Sequence, residues 1–282
     1  MITPKRPLPS GSVVRHYDEL DAYYREIWGE HVHHGLWRSG TETPEQAVRQ
    51  LSKYVAELAG IRPNDAVCDI GSGYGASARL LAKCFGAHVT AVTAAPKQHA
   101  FALALDAGSG NPRYLLRDWQ DNGLASESFD AAIAIESIEH MADKQRALAE
   151  AARVLRPAGR LVLCAWLAGE MPRGWQVHYL LEPVCRDGRI PGLATKTEFR
   201  ALLEQAGFYV ESFQDLSRQV RRTWSICVAR LLRAICRDSR YRRYLLNPRN
   251  DNRVFVLTMI RMLMAYGTGA MRYGIFAARR LR

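Results

Sequence analysis

The stretch Val67-Cys68-Asp69-Ile70-Gly71-Ser72-Gly73-Tyr74-Gly75 decides the fold. Ala66–Ile70 reads as a short apolar strand, and Ala76–Phe85 after the glycines carries a helical pattern. A glycine turn between a strand and a helix lets a ligand lie against the backbone, because no Cβ stands in its way. Gly71 and Gly73 are the candidates for that close approach. The spacing Gly71-x-Gly73-x-x-Ala76 also satisfies the dinucleotide fingerprint, so a nicotinamide dehydrogenase has to be weighed. Two residues count against it: Asp69 would oppose a pyrophosphate, and the second strand ends in Thr93 instead of an acid. A carboxylate at 69 suits a cofactor that carries an ammonium group, which points to S-adenosylmethionine (SAM).

Outward from this loop, strands and helices alternate. His88–Thr93, Arg113–Arg117, Phe129–Ile135, Arg160–Trp166, Phe208–Phe213 and Tyr273–Ala278 read as further strands. Lys97–Ala107, Lys144–Leu155 and Lys196–Gln205 read as helices, with a turn at Pro157–Gly159. The pattern predicts an α/β fold with a doubly wound, mostly parallel seven-stranded sheet. Ahead of it, Val13–Ile27 and Thr43–Ala59 have helical spacing, with Pro44 placed as an N1 proline behind the Thr43 cap. Residues 1–12 are rich in Pro, Gly and Ser and are expected to be mobile. The expected organisation is an N-terminal helical lid over 1–60, a cofactor-binding core over 61–216, a basic helical acceptor cap over 217–271, and a last core strand over 272–282.

Composition narrows the class. The 282 residues are 48% hydrophobic and 24% charged, which excludes a disordered or low-complexity chain. Cysteines 68, 84, 164, 185, 227 and 236 include no CxxC pair, so neither a zinc nor a disulfide framework is expected, and they read as buried thiols in a reducing compartment. No apolar signal segment and no span-length apolar run is visible, so the expectation is a cytoplasmic protein. The charge is uneven. Residues 218–282 hold 16 arginines, no lysine and 2 aspartates, a net of +14, whereas the other 217 residues carry 23 basic and 26 acidic side chains. Arginine in excess favours phosphate or carboxylate partners, which leaves nucleic acid, an anionic membrane surface and a small anionic substrate open.

Motifs select among these. D-I-G-S-G-Y-G at 69–75 resembles the first motif of the class I SAM-dependent methyltransferases. I-W-G-E-H-V-H-H-G-L-W at 27–37 and E-S-I-E-H-M-A-D-K at 136–144 resemble the tocopherol methyltransferase-like group, with cyclopropane fatty acid synthases more distant. Thr93-Ala-Ala-Pro-Lys-Gln98 is similar to that group's T-x-S-P-x-Q, with Ala95 in place of the usual Ser. The likeness starts near Tyr17 and is weaker over 167–195 and the basic insert.

The resemblance implies that Asp69, Gly71 and Gly73 hold the methionyl end of SAM, with Glu136 facing it. It places Thr93 and Gln98 at the ribose and Asp118 and Trp119 at the adenine. His33 and His34 become lid residues near the SAM carboxylate, and Tyr17 a further lid contact. Adjacent histidines chelate poorly and no third ligand is near in sequence, so no metal is expected. Methyl transfer from a sulfonium needs alignment and, for some acceptors, a base. His140 is the candidate base, four residues beyond Glu136 and so on one face with it if the segment is helical; Glu139 is the second candidate.

The resemblance implies that the insert caps the pocket of a small hydrophobic acceptor of aromatic or isoprenoid type, methylated at O, N or C. Trp224, Leu231 and Leu232, with Met259, Met262 and Met264, are its apolar residues, and the plainer reading makes most of them cap core. The 218–282 arginines then read as a solvated face, as peripheral contact with an anionic membrane, or as a site for an anionic acceptor. A nucleic-acid methyltransferase is not favoured, because Ile135-Glu-Ser-Ile-Glu-His140 does not resemble the amino-methylating N-P-P-Y tetrad. A non-catalytic, SAM-regulated membrane-binding protein is the third alternative.

Overall fold

The computed structural model describes residues 1–9, 11–248 and 250–281, so Ser10 and two of the counted arginines, Arg249 and Arg282, lie outside the described residues. Seven strands form one sheet: β1 (Ala66–Ile70), β2 (His88–Thr93), β3 (Arg113–Leu116), β4 (Phe129–Ile135), β5 (Leu155–Ala168), β6 (Phe208–Asp215) and β7 (Met271–Arg280). Their order is β3-β2-β1-β4-β5-β7-β6, with β7 antiparallel to both neighbours and the other pairs parallel. This is the mostly parallel doubly wound sheet expected from the alternation. The turn expected at Pro157–Gly159 is instead an irregularity inside β5, where the register jumps from Leu155 opposite Phe129 to Arg160 opposite Ala131. Ala158 absorbs it with a φ of 61°.

Before the sheet come α1 (Ser12–Glu19), α2 (Asp21–Ile27) and α3 (Pro44–Leu58). The Val13–Ile27 periodicity is thus two helices, broken at Leu20. α3 starts as its sequence predicts: Gln46 N donates to Thr43 Oγ1 at 3.2 Å, and Thr43 N donates back to Gln46 Oε1 at 2.8 Å. α4 (Ala76–Phe85), α5 (Pro96–Leu105) and α6 (Lys144–Val154) follow β1, β2 and β4. After β5, α7 (Gly174–Gln176) runs through a π turn at Val177–Leu181 into α8 (Glu182–Asp187), and α9 (Lys196–Gln205) leads into β6. One face of the sheet packs Val67, Val89 and Ile133 against α3 and α4, and the other packs Ile70, Leu161 and Phe276 against α6 and α9.

The long crossing from β6 to β7 is helical: α10 (Ser217–Val220), α11 (Arg222–Arg237), α12 (Ser239–Leu246) and α13 (Phe255–Thr268). Trp224, Cys227 and Leu231 of α11 are buried, as are Met259 and Met262 of α13. Leu232 and Met264 depart from the cap-core reading, being 56% and 49% exposed, because neither falls on the helix face turned toward the core. Residues 1–9 depart from expectation too. Ile2 bridges to Leu193 in antiparallel fashion, and Lys5 N donates to Glu182 Oε1 at 3.2 Å, so this segment lies strapped to the body.

Candidate active site

Reversal of strand order between β1 and β4 opens a crevice at the carboxyl ends of the strands, where doubly wound sheets bind ligands. A cavity of about 660 Å³ occupies it, within the range of small-molecule sites. Gly71 and Gly73 follow β1, Thr93 ends β2, Asp118 and Trp119 follow β3, and Glu136 and His140 follow β4, and all of them line the cavity. The opposite wall is Tyr17 of α1 with Thr3, Pro4 and Pro7–Pro9 of the strap. Among the described residues the insert 217–271 lends no side chain to this wall; its buried apolar residues pack against α2 and the sheet.

The glycine loop shows two kinds of constraint. A Cβ on Gly71, whose φ is +74°, would sit 2.3 Å from the Ser137 Cβ, so this glycine is required by packing between two loops of the protein. Gly73 has a φ of +55° and nothing within 4 Å of where its Cβ would be; that direction is open cavity. Asp69 lies beneath, buried and beside a recess shared with His31, His33 and Gly73. Its Oδ2 has no hydrogen-bond partner, and burial pushes the carboxyl up to about 7. An orphaned buried carboxylate oxygen facing a glycine cradle fits a ligand ammonium, which would supply both charge and donors.

The ribose and adenine candidates are also brought together. Thr93 Oγ1 donates to Gln98 Oε1 at 3.0 Å, so the two form one buried unit on the wall. Asp118 caps a 3-10 turn by accepting from Gln120 N at 2.9 Å, and the Trp119 indole donates to the Ala147 carbonyl at 2.8 Å. That bond pins the indole plane against α6 at the cavity's edge.

Glu136 is organised differently from its neighbours. It leaves β4 with a φ of 54°, and its Oε1 accepts from His34 N at 2.7 Å and from Tyr273 OH at 2.8 Å. Oε2 accepts from His34 Nδ1 at 2.9 Å and Trp166 Nε1 at 2.8 Å. Burial works against the ionised form, but the His34 contacts outweigh it and hold the carboxyl at about 2. His34 Nε2 accepts from Trp224 Nε1 at 2.7 Å, which assigns the proton to Nδ1. Both oxygens of Glu136 and both ring nitrogens of His34 are therefore taken by protein partners. His33 is buried beside them, its Nδ1 donating to the His34 carbonyl at 2.8 Å.

His140 lies in a single 3-10 turn, Ile138–His140, so the shared helix face expected for Glu136 and His140 does not form. The two come together at the cavity because the chain bends sharply at Glu136. His140 Nδ1 donates to the Arg189 carbonyl at 3.4 Å, leaving Nε2 to accept from Tyr17 OH at 3.2 Å. Burial lowers His140 to about 4, which keeps the imidazole neutral at physiological pH. Glu139 turns away into the interior: its Oε1 accepts from Trp166 N at 3.2 Å, Oε2 has no partner, and burial together with the Glu136 charge raises it to about 8. Lys144 Nζ donates to the carbonyls of Glu139 and Met141 at 3.0 and 3.2 Å, and burial lowers it to about 8. A carboxyl protonated at neutral pH and absent from the cavity wall makes a poor base.

Residues 68–163 match the family described as a methyltransferase domain. The chain is 30% identical over 227 residues to the 27-O-demethylrifamycin SV methyltransferase of Amycolatopsis mediterranei, covering 78% of this chain and 81% of that protein. It is 26% identical over 293 residues to the chloroplastic tocopherol O-methyltransferase of Arabidopsis thaliana, covering 95% and 81%. The chain belongs to the class I SAM-dependent methyltransferases, in their tocopherol methyltransferase-like group. A cyclopropane synthase structure from Mycobacterium tuberculosis superposes with a TM-score of 0.83 at 18% identity, covering 96% of this chain and 99% of that one, a likeness of fold.

SAM is thus the cofactor of this methyltransferase, and the Asp69–Gly73 geometry fits it on structural grounds alone. Several residues of the site carried no signal in the sequence. Trp166, Tyr273 and Trp224 fix the Glu136–His34 pair, yet each reads as an ordinary core aromatic of its strand or helix. Pro4 and Pro7 enclose the cavity from a segment whose composition suggests a mobile tail. No helix among the described residues is long and apolar enough to cross a membrane.

Proposed function

We propose that this methyltransferase acts on a small hydrophobic acceptor of aromatic or isoprenoid type, with His140 as its base. The observation that carries it is the His140–Tyr17 pair on the cavity wall, with one imidazole nitrogen fixed by a carbonyl and the other joined to the Tyr17 hydroxyl. When bound, SAM supplies a methyl group already activated on a sulfonium. Asp69 and the Gly71–Gly73 backbone hold its methionyl end, Thr93 and Gln98 its ribose, and Asp118 and Trp119 its adenine. Glu136 and His34 serve as the frame behind these contacts, tying the segment before α3 to β4, β5 and β7.

Tyr17 OH donates to His140 Nε2 and turns its oxygen to the acceptor hydroxyl. As the acceptor oxygen gains its methyl, its O–H bond breaks and its proton passes to the Tyr17 oxygen while the Tyr17 proton passes to His140 Nε2, from which it later returns to solvent. Val13, Val14, Pro7 and Leu8 exclude water and suit an apolar body. Relatives named for a demethylrifamycin and a tocopherol support a bulky apolar acceptor. In the same proposal part of the basic 218–281 segment, with Arg253 exposed on it, rests on an anionic membrane surface where such an acceptor dissolves, with the protein otherwise cytoplasmic. Methyl-labelled SAM offered with a panel of prenylated phenols and hydroquinones tests this. Label should enter at least one of them, and transfer to none would end the proposal.

A further inference from the structure

The stretch from Gly174 to Asp187 and α13 lie side by side and antiparallel. Gln176 Nε2 donates to the Thr268 carbonyl at 3.4 Å, and at the other end Thr258 Oγ1 and Arg261 Nη1 donate to Asp187 Oδ2 at 2.9 and 3.0 Å. α13 buries Met259, Met262 and Ala265 and turns Leu257, Ile260 and Met264 outward, with exposures of 52%, 46% and 49%. These are i, i+3 and i+7 positions and so form one stripe. On the adjoining helix Trp175 and Tyr179, one turn apart, are 43% and 65% exposed.

Charge exposed on these two segments is positive. Residues 252–268 contain no Asp or Glu. Between 171 and 187 the acids are Glu182 and Asp187, both buried and held by Arg186 and Arg261. Arg173, Arg186 and Arg253 stand exposed on the same two segments. An outward Trp and Tyr beside an apolar stripe, rimmed by arginines and with exposed Glu170 and Asp215 only in the recess at the Trp175 end, where Arg173, Lys196 and Arg272 outnumber them, is the pattern of a surface that lies in a headgroup layer. The strap that walls the cavity is fastened to the same helix, through Lys5 N to Glu182 Oε1 at 3.2 Å and Lys5 Nζ beside His178 Nδ1 at 3.4 Å.

We infer that the face formed by Trp175, Tyr179, Leu257, Ile260 and Met264 docks on an anionic lipid bilayer. It places the strap, and the cavity behind it, beside the lipid phase. The inference deepens the membrane contact proposed above by giving it a surface, and vesicle binding is read apart from methyl transfer so that either can fail alone.

The test is sedimentation of the full chain with phosphatidylglycerol-containing vesicles and with pure phosphatidylcholine vesicles. Wild type should bind the anionic vesicles, more weakly as salt rises. Ile260→Glu/Met264→Glu and Trp175→Ala/Tyr179→Ala should each weaken that binding about tenfold or more. Leu103→Glu, an exposed change on α5, should leave it unaltered. Unchanged S-adenosylhomocysteine affinity in all variants shows that they are folded. Absence of wild-type binding to anionic vesicles, or double variants that bind as wild type does, overturns the inference. So does a wild-type dimer in light scattering that the same variants render monomeric, since the face would then belong to a second copy.

Discussion

His34 Nδ1 donates to Glu136 Oε2 at 2.9 Å across 102 residues of sequence, joining the segment before α3 to the end of β4. The contact closes a network in which Trp166, Tyr273 and Trp224 saturate the remaining acceptors. Replacing Glu136 by Gln sets an amide N–H against one of these donors and removes the only charge in the network. Glu136→Gln should cost about 3 kcal/mol in urea denaturation. A double-mutant cycle with His34→Ala should show about 1–3 kcal/mol of coupling. Additive losses would show that the two residues act separately.

Asp69 should serve cofactor binding while lowering the stability of the free protein at neutral pH and above. Its carboxyl ionises near 3.8 in an unfolded chain but at about 7 when folded, so the folded state binds the extra proton between those values. Stability of the free protein therefore falls as pH rises across that interval. Asp69→Asn should remove this loss, making the free protein more stable than wild type at about pH 8 and little changed at about pH 4, by thermal melts at both. The same variant should bind S-adenosylhomocysteine about 10–100-fold more weakly, because a charge-assisted contact with the ammonium is lost. Calorimetry that gives equal affinities would remove Asp69 from the site.

Gly73 separates ligand clearance from packing. Gly73→Val puts a branched side chain into open cavity at a positive φ. It should cost about 1–2 kcal/mol of stability from the backbone alone and abolish detectable S-adenosylhomocysteine binding. Gly71→Val should instead damage folding, since the obstacle there is Ser137. A folded Gly73→Val protein with normal affinity would contradict this division.

Much of this was legible in sequence because the informative residues are local. β1, β2, β4, α4 and α9 begin and end where periodicity and glycine or proline punctuation place them. The residues from the ends of the parallel strands converge because strand order brings those ends together. What stayed hidden depends on contacts between distant segments. Nothing near Glu136 announces that Tyr273 will occupy one of its oxygens, and spacing alone put Glu136 and His140 on a helix where the chain makes a left-handed bend. Leu232 carries the same lesson, since an apolar residue beside a buried stripe is not thereby on it.

His140 is where chemistry and geometry meet, and one comparison tests it. Wild type and His140→Ala are given methyl-labelled SAM and a prenylated hydroquinone, with S-adenosylhomocysteine affinity measured alongside. With its nitrogen neutral above about 4, wild type should show no loss of rate from this group between about pH 5 and 8. The variant should transfer label about 10²–10⁴-fold more slowly while binding S-adenosylhomocysteine as wild type does. Undiminished transfer by His140→Ala would contradict the account.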